Sequence, residues 1–238
     1  AEIGSIPVAW TLLGSGGIPA SHPLNMGMMG MHGEYAVNNA IQDADLLIAC
    51  GMRFDDRVTG NVSTYSLGSK KIHIDIDSSE INKIIPVDVG IVCDLKNTVT
   101  QLLPLIKKKQ NKEWFKIITN WQSESKRRDI INTETDVLFG AQVIRDIWTY
   151  TNGEAIIVSD VGQHQMLEAQ YYDHDEPNTL LTSGGLGTMG FSLPAAIGAS
   201  FAKKGKDIWV IVGDGSIQMT ITELATAVQE NTNINIAI

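Results

Sequence analysis

The stretch IWVIVGDGSIQMT, residues 208–220, puts one carboxylate between two glycines at the end of an apolar run. Gly213 and Gly215 have no side chain, so the backbone can approach a ligand closely there. The Asp214 carboxylate is a hard oxygen ligand of the kind that Mg²⁺ takes together with phosphate oxygens. The sequence therefore predicts either a metal–phosphate site at Asp214 or a tight turn in which Asp214 caps a helix.

A second glycine-rich segment, TSGGLGTMGFSLPAAIGAS, surrounds Met189 and is predicted to open a long helix from Gly187 to about Lys203. A methionine thioether is a soft surface that suits a heteroaromatic ring. The alternative is a glycine-rich helix start with a methionine in the core. In the same half, GQHQM follows an apolar run, and Gln163 and His164 offer hydrogen-bonding groups for a ligand or simply a polar helix start.

Elements that could position these residues follow from the alternation of short apolar runs with amphipathic stretches. This alternation predicts a parallel sheet covered by helices, and ligands collect at the carboxyl ends of such strands. Strands are predicted at 6–13, 45–51, 70–77, 89–94, 154–160, 179–183, 207–215 and 234–238. Helices are predicted at 34–44, 97–109, 139–150, 163–170, 187–203 and 220–231.

The predicted fold class is α/β, with two doubly wound parallel-sheet domains. Residues 1–109 form the first domain, 138–238 the second, and the polar, helix-prone stretch 110–137 an interdomain connection. Because the chain lacks an initiator Met and opens on AEIGSIPV, which is typical of a helix end entering a strand, we expect an excerpt truncated at both ends.

Composition excludes several classes of protein. The net charge of −9 argues against a nucleic-acid partner, and no apolar run reaches the ~20 residues that span a bilayer. The five histidines lack the spacing of a zinc site. Cys50 and Cys93 belong to no C-x-x-C motif, so we expect reduced, buried thiols and a cytoplasmic protein.

The motifs taken together carry a family resemblance. VSDVGQHQM, SGGLGTMGFSLPAAIGA and VGDGSIQMTITELATAVQEN resemble the diphosphate-binding domain of thiamine-diphosphate enzymes. GMMGMHG, RFDDRVTG and HIDID are similar to the central, FAD-binding domain of the acetolactate synthase large catalytic subunits within that superfamily. The resemblance covers nearly the whole chain and implies three cofactors: thiamine diphosphate, Mg²⁺ and FAD.

The resemblance also implies site residues. Asp214 matches the metal ligand, while the Asn-Asn pair that supplies a second ligand about two dozen residues later is absent here. Met189 matches the catalytic residue that supports the bent cofactor. The other positions matching the thiamine-diphosphate site are Gln163, His164, Gly187, Thr188, Gly215 and Ser216. The flavin-contacting positions are Thr11, Leu12, Gly30, Met31, His32, Gly51, Arg53, Asp55, Asp75, Ile76, Asp94 and Leu95.

Each of these assignments has an ordinary alternative. Taken singly, the acids among the flavin positions also suit helix capping or surface charge. Arg57 and Met31 match catalytic positions that line the pocket for a second 2-keto acid, whose carboxylate Arg57 could pair bidentately. A surface ion pair of Arg57 with Asp55 or Asp56 is the alternative.

The activity implied is decarboxylation of pyruvate on thiamine diphosphate and transfer of the hydroxyethyl group to a second pyruvate or 2-ketobutyrate. This is the first common step of branched-chain amino acid biosynthesis, and the family implies a homodimer or homotetramer with a small regulatory subunit. These 238 residues alone are expected to be inactive, because the activating glutamate and the second metal ligand are absent. The alternatives are a catabolic acetolactate synthase, a pyruvate oxidase or a non-catalytic cofactor-binding module.

Overall fold

The computed structural model of the protein describes residues 1–133 and 136–238. Their contacts divide them into two compact units. Unit 1 comprises Ala1–Thr11 and Met26–Arg128, and unit 2 comprises Leu12–Asn25 and Asp129–Ile238. Of the predicted connection 110–137, residues 134 and 135 lie outside the described part, and residues 110–128 belong to unit 1. The bounds of the two predicted domains stay a prediction.

Unit 1 contains a parallel sheet and a separate pair of strands. The pair is β1 (Val8–Trp10) and β2 (Asn25–Met28), and the parallel strands, in spatial order, are β3 (Leu46–Cys50), β4 (Lys70–Asp75) and β5 (Val89–Val92). The helices are α1 (Tyr35–Asp43), α2 (Asp56–Thr59), α3 (Leu95–Leu102) and α4 (Lys112–Arg127). The predicted loop 14–33 therefore contains one short strand that its glycine content concealed.

Helix α4 explains why the predicted connection joins unit 1. Its Ile118 is buried, and the Ser125 hydroxyl accepts a hydrogen bond from the backbone N–H of Ala36 at 3.3 Å. The Arg128 guanidinium lies 5.6 Å from the centre of the Tyr35 ring. Because Ile118 is the one residue of α4 that is buried, the sequence showed no strong apolar stripe there.

Unit 2 is built on four parallel strands in the spatial order β7, β6, β8, β9. They are β6 (Ile156–Ser159), β7 (Leu180–Thr182), β8 (Ile208–Ile211) and β9 (Asn235–Ala237). The helices are α5 (Gly140–Thr151), α6 (Gln163–Tyr171), α7 (Ser192–Ala202), α8 (Asp214–Met219) and α9 (Glu223–Gln229). Every residue of β6 is buried, as in strands covered on both faces. The predicted parallel α/β fold is confirmed.

The segment Leu12–Asn25 joins unit 2 through backbone contacts that its sequence does not reveal. Gly16 has φ = +74°, and a Cβ there would overlap the backbone oxygen of Glu176. Ala20 N–H donates to the His174 carbonyl at 3.1 Å, and Ser21 N–H donates to Asp175 Oδ1 at 2.8 Å. The sequence had placed the whole segment with the first domain.

Helix α7 begins five residues later than the predicted start at Gly187. Gly187 and Gly190 have φ of +65° and +86°, values that a right-handed helix excludes. The glycine-rich stretch up to Phe191 is consequently a turn, and this part of the helix prediction was wrong.

The structure bears on two predictions that were made from the composition. Among the described residues, no helix has the length and apolar character to cross a bilayer. Cys50 and Cys93 are free thiols, but Cys50 is exposed and Cys93 only partly buried, so the predicted burial of both was wrong.

A buried acid–imidazole pair lies inside unit 2, close to the start of β7. Glu168 Oε1 lies 2.7 Å from His174 Nε2, and His174 Nδ1 lies 2.8 Å from the Thr179 hydroxyl. Glu168 Oε2 is buried without a partner among the described residues. Burial raises the pKa of Glu168 above its ordinary value of 4.5, although the hydrogen bond and charge of His174 oppose the shift. The folded protein thus holds the Glu168 proton more tightly than the unfolded chain does.

This raised pKa predicts a pH dependence of stability. The contribution of Glu168 to the free energy of unfolding is fully present below pH 4.5, the pKa in the unfolded chain. It is lost as pH rises through the higher pKa of the folded protein. Glu168→Gln removes the titration, so above pH 4.5 the variant should gain stability relative to the wild type as pH rises. Urea unfolding midpoints between pH 4 and 8 measure this difference, with the exposed Glu154→Gln as control. A difference that does not change with pH would contradict the assignment.

Candidate functional site

Three loops meet at the carboxyl edge of the sheet in unit 2, because β6, β7 and β8 run parallel and are neighbours. The loop after β6 leads into α6, the loop after β7 leads into α7, and the loop after β8 leads into α8. Nearly all site residues predicted for this half lie in these loops or in the first turn of the helix that follows.

Two of the predicted side chains lie against the loop after β8. A Cβ on Gly213 would lie 3.1 Å from Cε1 of His164, and a Cβ on Gly215 would lie 3.7 Å from Cε of Met189. The fold therefore brings His164, from α6, and Met189, from the loop after β7, beside the two glycines that flank Asp214 in the sequence. A side chain at position 213 would require the imidazole to shift by a few tenths of an ångström.

The imidazole of His164 keeps one nitrogen available inside the site. Its Nε2 is buried and has no hydrogen-bond partner among the described residues. Burial lowers the pKa of His164, and the charge of Asp160 only partly opposes this effect. The ring is therefore neutral near pH 7, and its orphaned nitrogen is a group that a ligand could satisfy.

Asp214 is the first residue of α8 and its side chain is exposed. The N-cap of α8 is Gly213, and no side chain caps this helix, so the alternative in which Asp214 is the cap was wrong. Within residues 1–133 and 136–238, no group of three or more His, Cys, Asp or Glu side chains could hold a metal. Asp214 thus presents an exposed carboxylate that belongs to no such group.

The remaining predicted residues of this half take varied positions. Gln163 is exposed at the start of α6. Thr188 N–H donates to the Ser183 hydroxyl at 3.0 Å, and Gly187 N–H donates to the Ser183 carbonyl at 3.0 Å. Ser216 is buried, and its hydroxyl lies 3.5 Å from the Val161 carbonyl. The Ser216 side chain is thus turned into the protein, which leaves its backbone for a ligand.

In unit 1, Met31 and Arg57 lie together as the sequence predicted. Met31 N–H donates to the Arg57 carbonyl at 2.7 Å, and Arg57 Nη1 lies 3.7 Å from Met31 Sδ. Asp55 instead pairs with Arg53 at 3.3 Å, and no described carboxylate forms an ion pair with Arg57. The ion-pair alternative for Arg57 was therefore wrong. Met31 also lines a cavity of about 250 Å³ beside Tyr65.

Asn38, a residue of α1 that sequence reasoning missed, holds the backbone before Met31. Its Oδ1 accepts from Gly30 N–H at 2.9 Å, and its Nδ2 donates to the Gly30 carbonyl at 2.9 Å. Gly30 has φ = +103°, and a Cβ there would lie 2.6 Å from the Arg57 carbonyl oxygen. The only available signal was an amide side chain one turn into the helix that follows a glycine-rich loop.

Asn38→Ala should loosen this loop. Loss of the two hydrogen bonds should raise hydrogen exchange at the Gly30 amide about 5- to 30-fold, since a net hydrogen bond is worth about 1 kcal/mol. Exchange of peptides covering residues 26–34 of the intact protein measures the effect, with Asn39→Ala on the same helix as control. Equal protection in both variants would contradict the role given to Asn38.

The predicted flavin positions follow the ends of β1, β3, β4 and β5 and the loop after β2. Asp55 accepts from Val58 N–H and caps α2, and Asp94 accepts from Asn97 N–H and caps α3. The capping alternative is thus correct for both acids, although it does not exclude a ligand. Asp75 Oδ1 accepts from Asp77 N–H at 2.9 Å. Ile76, His32, Gly51, Arg53 and Leu95 are exposed, while Thr11 lies in unit 1 and Leu12 in unit 2.

Comparison with known families matches both halves of the chain. Residues 1–102 match the family model "Thiamine pyrophosphate enzyme, central domain", and residues 160–238 match "Thiamine pyrophosphate enzyme, C-terminal TPP binding domain". Thiamine pyrophosphate and thiamine diphosphate are the same compound.

Curated relatives match over nearly all of the chain. It is 47% identical to an acetolactate synthase large subunit of Lactococcus lactis over 92% of its own length and 38% of that protein. Identity is 44% to the Corynebacterium glutamicum large subunit, over 100% of this chain and 39% of that protein. Identity is 42% to the large subunit of Escherichia coli acetolactate synthase isozyme 1, over 99% of this chain and 42% of that protein. The chain therefore spans about two fifths of the length of these relatives.

Proposed function

Because the chain belongs to the thiamine pyrophosphate enzyme family, we propose that the intact protein is an acetolactate synthase large catalytic subunit. It decarboxylates pyruvate and transfers the hydroxyethyl group to a second pyruvate or to 2-ketobutyrate, a step of branched-chain amino acid biosynthesis. The observation that carries this proposal is the 40–47% identity to acetolactate synthase large subunits over more than nine tenths of the chain.

Several groups of unit 2 support a site for thiamine diphosphate and Mg²⁺. Asp214 presents an exposed carboxylate, and the His164 nitrogen is buried and unpaired among the described residues. Gly187 has positive φ, and a Cβ there would contact only Val161. We assign the metal to Asp214. The diphosphate is assigned to the backbone of Gly215 and Ser216 together with His164, and the heteroaromatic ring of the cofactor to Met189. When bound, thiamine diphosphate supplies the nucleophilic carbon that lets a 2-keto acid lose CO₂.

Unit 1 is proposed to hold FAD at the carboxyl ends of its parallel strands. The residues that follow β3 and β4 are exposed, which supports this placement of FAD. Gly51 supports it as well, because its φ is positive and a Cβ there would meet no atom within 4 Å. Arg57 is proposed to bind the carboxylate of the second 2-keto acid, because its guanidinium is exposed and not paired with a described acid.

The assembly is part of the proposal as well. The relatives are named large subunits, which favours a small regulatory subunit as a partner. We also propose a homodimeric or homotetrameric enzyme in the cytoplasm. The free thiols of Cys50 and Cys93 are consistent with that compartment.

The direct test incubates the intact protein with pyruvate, Mg²⁺ and thiamine diphosphate and measures acetolactate. Acetolactate is expected, and its formation should depend on both added cofactors. No acetolactate from a folded protein would overturn the proposal. Reduction of bound flavin during turnover would instead identify an oxidase.

A further inference from the structure

Asp160 is a fully buried carboxylate at the end of β6 that accepts four hydrogen bonds. Its Oδ1 accepts from Val161 N–H at 2.9 Å and from Gly190 N–H at 3.0 Å. Its Oδ2 accepts from Ser192 N–H at 2.8 Å and from the Ser192 hydroxyl at 2.7 Å. Burial alone would raise the pKa of Asp160, but these hydrogen bonds outweigh it and hold the pKa below its usual range. The group is therefore a buried anion stabilised by fixed dipoles.

One of the four hydrogen bonds comes from Gly190 in the loop after β7, which carries Met189, and two come from Ser192, the first residue of α7. The Gly190 N–H belongs to the peptide bond that joins Met189 to Gly190, so Asp160 fixes the orientation of that peptide plane. On its other side, the Gly190 carbonyl accepts from the Thr220 hydroxyl at 3.0 Å. A Cβ on Gly190 would lie 3.1 Å from Cβ of Met219, so this residue has little freedom to shift.

The consequence for Met189 follows from its position next to Gly190. Its Cε lies within 3.7 Å of the place that a Cβ on Gly215 would take. The Met189 side chain is itself 41% exposed, so packing alone holds it weakly. Its placement beside Gly215 therefore depends on the backbone that Asp160 anchors.

The fourth hydrogen bond links Asp160 to the loop that enters α6. Asp160 N–H also donates to the Ile211 carbonyl of β8 at 2.8 Å, which fixes the carboxylate relative to the strand that leads to Asp214. Through its side chain and its backbone N–H together, Asp160 thus connects the ends of β6 and β8 with the loop after β7. These are the three segments that carry the proposed thiamine-diphosphate site.

We propose that Asp160 is a positioning residue for the cofactor, which orders the Met189–Gly190 backbone into the arrangement that takes up thiamine diphosphate. Asp160 does not touch the cofactor and acts through its hydrogen bonds to Gly190 and Ser192. This inference rests on the proposed function, because it assumes that Met189 contacts the ring.

The test compares Asp160→Asn and Ser192→Ala in the intact protein. In either orientation of the new amide, at least one backbone N–H of the loop faces an NH₂ group. Calorimetric titration with thiamine diphosphate and Mg²⁺ should therefore show a dissociation constant raised about 10-fold or more for Asp160→Asn. Ser192→Ala removes a single hydrogen bond and should raise it about 3- to 5-fold. Asp207 is an exposed residue just before β8, and Asp207→Asn makes the same change of charge. This control should leave the dissociation constant unchanged.

Two further readouts separate positioning from a purely structural role. Acetolactate formation per bound cofactor should fall in Asp160→Asn, and hydrogen exchange of peptides covering 186–192 should rise before cofactor is added. A lower melting temperature with an unchanged dissociation constant and unchanged turnover per bound cofactor would overturn the inference. If Asp160→Asn does not fold, Ser192→Ala decides, and wild-type affinity and exchange in that variant would overturn it. Failure of the wild-type protein to bind thiamine diphosphate would instead overturn the proposed function, and the inference with it.

Discussion

Asp214→Ala should abolish magnesium-dependent binding of thiamine diphosphate to the intact protein. Asp214 is exposed at the start of α8, and the described residues contain no cluster of three metal-ligating side chains that could replace it. A divalent cation that bridges protein and diphosphate would lose its one carboxylate here. Because removal of even an outer partner of a metal site costs about 10- to 100-fold in affinity, we expect at least about 100-fold weaker binding for a direct ligand.

Calorimetric titration with thiamine diphosphate, in Mg²⁺ and in chelator, measures the effect. The wild-type protein should lose affinity when the metal is chelated, whereas the variant should show the weak, metal-independent value in both buffers. Asp214→Asn keeps one oxygen ligand without the charge, so its affinity in Mg²⁺ should lie between those of the wild type and Asp214→Ala. Asp207→Ala removes another exposed carboxylate, before β8 rather than after it, and should bind as the wild type does. Wild-type affinity in Asp214→Ala would exclude this carboxylate as the metal ligand.

The sequence predicted the strands of unit 2 well because their apolar runs are continuous. A strand buried on both faces has no reason to alternate, and β6 and β8 stand out against the polar segments beside them. The ends of β6, β7 and β8 were equally visible, because a glycine or an acid lies within two residues of each. Both features are local in sequence, so no knowledge of distant contacts was needed.

Contacts between segments far apart in sequence were not predictable in the same way. Leu12–Asn25 joins unit 2 through backbone groups of residues 174–176 and one carboxylate, and no side-chain pattern in either segment indicates this pairing. The late start of α7 has a similar cause. The sequence shows which residues are glycine, but the positive φ of Gly187 and Gly190 depends on the hydrogen bonds that their loop makes.

The same distinction between local sequence features and distant contacts applies to the candidate sites. Family motifs identified Met31, Arg57, His164 and Met189, and the fold brings each of them beside another predicted residue. The side chains that hold these residues in place, above all Asp160, were not assigned a role. Its position directly after a buried strand was visible in the sequence, but three of its four hydrogen-bond donors belong to Gly190 and Ser192, which approach it only in the folded sheet.

The second large effect is expected from Arg57→Ala, which should impair transfer to the second 2-keto acid more than release of CO₂ from pyruvate. The Arg57 guanidinium has no described ion-pair partner, because Asp55 pairs with Arg53 and caps α2. No described acid therefore occupies its N–H donors, which have the fork geometry that matches a carboxylate. Loss of a bidentate, charge-assisted contact should lower the efficiency of transfer about 10- to 100-fold.

The ratio of acetolactate formed to CO₂ released, measured as a function of 2-keto acid concentration, isolates this effect from loss of cofactor. Arg57→Lys keeps the charge without the planar fork, so it should recover only part of the transfer. Arg127→Ala removes an exposed arginine at the end of α4 and should leave the ratio unchanged. A wild-type ratio in Arg57→Ala would show that the second carboxylate is bound elsewhere. Because the hydroxyethyl group must leave before the next decarboxylation, equal loss of both products is decided by the first turnover. A wild-type burst of CO₂ in Arg57→Ala would place the defect at transfer, whereas a lost burst would mean that Arg57 acts before the second 2-keto acid arrives.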